Sequence, residues 1–69
     1  MSRLEQLGQN IAKYRKEKQF SQEKLAEIVD LSREYITRVE NGQKNISLKN
    51  LFAIADALNI GFNKLTDFE

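Results

Sequence analysis

The stretch FSQEKLAEIVDLSREYITRVENG, from Phe20 to Gly42, decides the fold of this chain. It contains two apolar periodic segments, each preceded by a serine that can cap a helix, with a break at Asp30 between them. Ala26 lies on the side of the first helix that faces the second, and a small side chain there lets two helices cross closely. The apolar residues at helical spacing are Leu25, Val29, Leu31, Ile36 and Val39. This pattern predicts a helix-turn-helix over residues 22–41.

Helical periodicity also accounts for the sequence on both sides of this motif. A first helix is predicted from about Arg3 to Lys18, with a serine and a glutamate at capping-box spacing at its start. A fourth helix follows Ser47, and a short fifth one carries Phe62 and Leu65. Strand alternation is absent from the sequence. We therefore expect an all-α, compact five-helix bundle in which residues 1–69 form a single domain.

Two glycines have predicted structural roles. Gly8 falls inside the first helix, where glycine costs roughly 1 kcal/mol relative to alanine, so we expect it to allow close packing against a neighbour. Gly42 follows the second helix of the motif, where glycine commonly adopts the left-handed conformation that ends a helix.

Composition excludes several classes of function. The 69 residues include no Cys and no His, which rules out disulfides, zinc sites, thiol nucleophiles and histidine bases. The longest aliphatic or aromatic run, residues 52–55, is too short to span a membrane, and the N-terminus lacks an apolar signal core. No Gly-rich phosphate loop or nucleophile elbow is present. We expect a cytoplasmic protein that is not an enzyme, with no cofactor, metal, membrane or small-molecule ligand.

The outer face of the second motif helix carries candidate DNA-reading residues on its first two turns. These are Ser32, Arg33, Glu34, Thr37 and Arg38. An α-helix fits the major groove of B-DNA, and its N-terminal residues reach base edges. Arg pairs with guanine O6 and N7, Glu accepts from the cytosine amino group, and a Thr methyl group can contact thymine. An ordinary solvated helix face is the alternative interpretation, and the surrounding helix-turn-helix favours base reading.

Taken together, these residues resemble the Cro/Xre-type helix-turn-helix family of lambda-repressor-like proteins. The resemblance covers nearly the whole chain, with matching strings at 20–27, 31–33, 36–42, 46–48 and 57–60. Tyr35-Ile36 with the string at 45–48 is also similar to controller proteins of restriction–modification systems, although such strings occur across the family. One position departs from the pattern: Asp30 replaces the usual turn glycine, at a site that often needs a positive φ.

The resemblance implies roles for further residues. The position of Gln22 contacts a DNA phosphate in the family, and the alternative for it is a helix-start residue without a contact. Arg15 and Glu40 correspond to an ion pair that joins the first helix to the end of the third. Tyr35 stays open between packing against helix 2 and donating its hydroxyl to a phosphate. Further phosphate contacts correspond to Asn41, Gln43, Lys44 and Asn45.

The family also binds DNA with two-fold symmetry, which presents two recognition helices about one DNA turn, roughly 34 Å, apart. The candidate dimer contact in this chain is residues 59–69, with the apolar side chains Ile60, Phe62, Leu65 and Phe68. The alternative is that these side chains close the monomer core, and Leu65 is the first candidate for that role.

Charge is distributed in a way that the formal net value of +1 hides. Residues 1–49 hold ten Lys or Arg and seven Asp or Glu, whereas residues 50–69 hold one and three. A basic part that faces DNA and an acidic C-terminal part fit a transcription regulator that binds operator half-sites in double-stranded DNA as a homodimer. The alternative is an antitoxin or protein-partner adaptor of the same fold, whose apolar C-terminal patch would bind another protein.

Overall fold

The computed structural model describes residues 1–68, which form five helices joined by short connections. They are α1 (Arg3–Glu17), α2 (Gln22–Val29), α3 (Arg33–Glu40), α4 (Leu48–Ala57) and α5 (Phe62–Leu65). No strand occurs within residues 1–68, and no helix there is long and apolar enough to cross a membrane. The predicted all-α five-helix fold is confirmed.

The starts of the first four helices follow from the same local chemistry. In each, a serine hydroxyl at the N-cap accepts a hydrogen bond from the backbone N–H three residues later, at 2.9–3.1 Å; the serines are Ser2, Ser21, Ser32 and Ser47. At α1 the bond is reciprocated, because Glu5 Oε1 accepts from the backbone N–H of Ser2 at 2.9 Å. These bonds satisfy donors that would otherwise lack a partner at the helix ends.

A residue with a left-handed backbone conformation follows each of the two helices of the motif. Asp30 ends α2 with φ 58° and ψ 45°, and the backbone N–H of Leu31 then donates to the carbonyl of Ala26 at 2.9 Å. Gly42 has φ 72° and follows the end of α3. The turn after α2 therefore has the positive φ that the sequence led us to expect, with an aspartate in a conformation that favours glycine.

The core is built from all five helices. Its largest fully buried side chains are Ile11, Leu25, Ile36, Ile54, Leu58 and Leu65. Ala26 is also buried, as the close crossing of α2 over α3 requires. Because α3 buries Ile36 and Val39, its opposite face is left toward solvent.

Gly8 sets the distance between α1 and α3. A Cβ atom at this position would lie 2.4 Å from the carbonyl oxygens of both Val39 and Glu40, so only glycine lets the two backbones approach this closely. The predicted role of Gly8 in close packing is confirmed, and the contact fixes the C-terminal end of α3 against α1.

Candidate nucleic-acid interface

The predicted base-reading residues share the solvent side of α3. Ser32, Arg33, Glu34 and Arg38 are exposed, and Thr37 is half-buried. The hydroxyl of Ser32 accepts the backbone N–H of Tyr35 at 3.0 Å, so this residue caps α3 whatever else it contacts.

Cationic side chains lie on both sides of α3, each beside a carboxylate. On the α2 side, Arg33 lines a shallow depression together with Ser21, Gln22 and Glu23. On the other side, Arg38 and Lys44 line a second depression, which they share with Ser32, Glu34 and Tyr35. A helix with an exposed polar face and cations along both edges matches what a major groove between two phosphate backbones requires.

A buried ion pair anchors α3 to α1. Arg15 donates from Nε to Glu40 Oε2 at 2.7 Å and from Nη2 to Glu40 Oε1 at 3.0 Å, and both residues are 8% exposed. Arg15 Nη1 also donates to the carbonyl of Phe20 at 2.8 Å. Such bidentate geometry satisfies both charges inside the protein. The pair predicted between these two residues is therefore present as a contact.

Gln22 extends this network to the outer face of α3. Its Nε2 donates to Glu40 Oε1 at 2.9 Å, and its Oε1 accepts from the Thr37 hydroxyl at 2.8 Å. The sequence did not reveal this link, because the two partners lie 15 and 18 residues away along the chain. The amide nitrogen of Gln22 carries a second hydrogen, which leaves one donor for a further partner.

Tyr35 makes a contact that neither sequence-based alternative included. Its ring packs half-buried against the core, and its hydroxyl accepts a hydrogen bond from Asn50 Nδ2 of α4 at 3.1 Å. Lys44 Nζ lies 5.5 Å from the ring centroid, within the range of a cation–π interaction. Because the hydroxyl is an acceptor in the contact with Asn50, its own proton stays available.

The loop after α3 lies directly against the end of that helix. The backbone N–H of Gln43 donates to the carbonyl of Arg38 at 2.9 Å, which holds the loop in place. The side chains predicted to contact phosphates from this loop are all exposed, namely Asn41, Gln43, Lys44 and Asn45. Lys44 lines a depression with Arg38, which places this loop beside the α3 surface.

The apolar C-terminal residues differ in how far they are buried and in what they contact. Leu65 is fully buried, so it closes the monomer core, which was the alternative to a dimer contact. Its side chain is therefore not part of the candidate dimer contact. Phe68 is half-buried beside α1, where it lines a groove with Met1 and Asn10. Ile60 is half-buried and packs against the core.

Phe62 belongs to an apolar patch that the sequence did not indicate. Its ring centroid lies 4.7 Å from that of Phe52, which is 51% exposed. Leu48, one turn earlier on α4, is 64% exposed. We call Leu48, Phe52 and Phe62 the α4–α5 apolar patch.

Comparisons with known proteins agree with this geometry. The helix-turn-helix family model matches residues 11–65. Control protein C.SmaI of Serratia marcescens is 44% identical over 59 residues, which span 86% of this chain and 70% of that protein.

Two solved structures have the same fold. The restriction–modification controller protein C.AhdI of Aeromonas hydrophila superposes with a TM-score of 0.87 at 42% identity, over 90% of this chain and 94% of that one. SinR, described as a master regulator for biofilm formation and solved in complex with DNA, gives a TM-score of 0.82 at 35% identity, over 88% and 98% of the chains. These relatives are regulators and not enzymes. This chain therefore belongs to the helix-turn-helix family, among the DNA-binding transcription regulators of the controller and repressor kind.

Proposed function

We propose that this protein binds operator half-sites in double-stranded DNA as a homodimer, with α3 of each protomer in the major groove. The observation that carries the proposal is the exposed polar face of α3, which has a guanidinium at each end of its outer surface, on Arg33 and Arg38. The relative SinR, whose structure is known in complex with DNA, adds independent support.

Each exposed group has a chemistry that suits one part of the duplex. Arg33 and Arg38 match the acceptors O6 and N7 of guanine, and Glu34 matches the amino donor of cytosine. Lys44 and the amides of Asn41 and Gln43 suit phosphate oxygens, because they lie at the edge of the α3 surface and carry charge or amide donors. The second hydrogen of the Gln22 amide is a further phosphate donor on the opposite edge. Such a regulator acts where the DNA is, which in a bacterial cell is the cytoplasm.

The α4–α5 apolar patch is the surface that we assign to the homodimer contact. Exposed aromatic groups are enriched at the centres of protein interfaces, and the rings of Phe52 and Phe62 already contact each other in a tilted arrangement. The patch is continuous with the segment that the sequence indicated, through Phe62.

Site selection from random DNA followed by binding measurements tests the DNA-reading roles. Arg38→Ala is expected to cost about 1–3 kcal/mol on the selected site and to relax the preference at one base pair. Lys44→Ala is the matched control, since it removes a cation 6 residues away and is expected to weaken binding to all sequences equally, with a shallower salt dependence. If both variants lost affinity uniformly, the assignment of reading and phosphate contacts would be wrong.

Sedimentation tests the dimer. We expect the protein to be a dimer at tens of micromolar and Phe52→Ser to be a monomer with a similar unfolding temperature, because Phe52 is half exposed in the monomer. Ile28→Ser is the control, since Ile28 is 45% exposed on α2, outside the patch, and is expected to leave the dimer intact. A monomeric wild-type protein at that concentration would refute the homodimer.

A further inference from the structure

Thr37 sits in the middle of the α3 surface and has two groups with which to contact a base. The hydroxyl can donate to guanine or thymine acceptors or accept from a base amino group, whereas the γ-methyl group can contact only apolar groups such as the thymine C5-methyl. The residue type does not decide between these two modes, and they predict different base preferences.

The hydroxyl of Thr37 is engaged inside the protein. It lies 2.8 Å from Gln22 Oε1 and 3.0 Å from the carbonyl oxygen of Arg33, and it has a single proton to donate. Both acceptors are protein groups, so either arrangement of the proton leaves none for a base acceptor.

Gln22 is itself held in place, which makes the Thr37 bond persistent. Its Nε2 donates to Glu40 Oε1, and Glu40 is 8% exposed and paired with Arg15 at 2.7 Å. Rotation of the Gln22 amide would direct its oxygen at the Glu40 carboxylate. This would place two hydrogen-bond acceptors opposite each other, which is unfavourable. The amide oxygen is therefore kept toward Thr37, and moving the hydroxyl to DNA would leave that oxygen without its donor.

From this geometry we infer that Thr37 is a specificity-determining residue that reads a thymine through its γ-methyl group, while its hydroxyl proton is used inside the protein to fix the side chain. The inference rests on the proposed function, since it concerns how the same α3 surface reads DNA. The hydroxyl is turned toward α2 and the backbone, and the methyl group is the remaining branch of a side chain that stays partly exposed. It selects against cytosine and against deoxyuridine, which both lack the C5-methyl group.

Deoxyuridine substitution in the selected site tests this contact, because it removes the C5-methyl group of one thymine at a time. Each thymine is replaced in turn by deoxyuridine, and the ratio of the two Kd values is measured for the wild type, Thr37→Val and Thr37→Ser. The wild type is expected to lose about fourfold in affinity at one thymine of each half-site, the value of one buried methyl group. Thr37→Val keeps the methyl group and is expected to keep this ratio, while Thr37→Ser keeps the hydroxyl and is expected to bring it to one.

The ratio isolates base reading from structural effects, because any general loss of folding or affinity cancels between the two DNAs. Circular dichroism confirms that both variants are folded. A ratio that survives in Thr37→Ser, or disappears in Thr37→Val, would overturn the inference, as would a wild type that distinguishes no thymine from deoxyuridine. Failure of the proposed function has a different outcome: the wild type would then show no preference for any selected site over random DNA.

Discussion

Breaking the Arg15–Glu40 pair from one side should remove a large share of the stability of this domain. Glu40→Leu deletes three hydrogen bonds, two from Arg15 and one from Gln22, and leaves the guanidinium with the Phe20 carbonyl as its protein partner. The side chain of Arg15 is 10% exposed, so water replaces little of what is lost. Removing one member of such a buried pair costs about 3–5 kcal/mol. A chain of 69 residues has a total stability of about 3–10 kcal/mol.

A double-variant cycle in urea, followed by circular dichroism, measures this coupling. With a slope of roughly 1 kcal/mol per molar urea, Glu40→Leu and Arg15→Met are each expected to lower the midpoint by about 3–5 M or to unfold the protein. The combination of both is expected to cost much less than the sum, because an apolar pair leaves no buried charge without a partner. Single variants that each lost less than about 1 kcal/mol would show that the pair behaves like an exposed one and would refute the reasoning.

Three other predictions concern the contact between α1 and α3, the turn after α2 and the start of α1. Gly8→Ala should destabilise the domain by about 1–3 kcal/mol in thermal unfolding despite the better helix propensity of alanine, because its Cβ would meet backbone oxygens at 2.4 Å; a higher Tm would contradict this contact. Asp30→Gly should raise the Tm by a few degrees, since glycine adopts φ 58° without strain; an unchanged or lower Tm would mean that the aspartate is not strained there. Hydrogen bonds from the backbone N–H and then the hydroxyl of Ser2 lower the pKa of Glu5 below its ordinary value of 4.5. The stability that Glu5 adds over Glu5→Gln should therefore be present above pH 4.5 and disappear as the pH falls below it. A stability difference between the wild type and Glu5→Gln that does not depend on pH would exclude this effect.

The fold was largely predictable because its signals are local. Each serine cap lies next to the apolar repeat that it starts, and the left-handed positions of Asp30 and Gly42 follow from turn chemistry in a few residues. The family resemblance supplied the Arg15–Glu40 pair, which 25 residues of sequence separation would otherwise hide.

What the sequence could not supply depends on three-dimensional neighbours. Leu48 and Phe52 are apolar residues of α4 like Leu51 and Ile54, yet both are exposed, because the core side of α4 is occupied by Leu51, Ile54 and Ala55. Leu65 and Phe68 look alike as C-terminal apolar residues, but one is buried and the other lies beside α1. Likewise, nothing in the residue type of Thr37 indicates that Gln22 engages its hydroxyl.

Methylation interference on the selected site measures the central claim most directly, because it maps which groove the protein needs. If α3 of two protomers enters the major groove, methylation of guanine N7 should block binding at two clusters of positions about one helical turn, roughly 34 Å, apart, while methylation of adenine N3 in the minor groove at those positions should not. Interference confined to adenine N3, or a single N7 cluster, would contradict either the position of α3 in the groove or the two-fold arrangement.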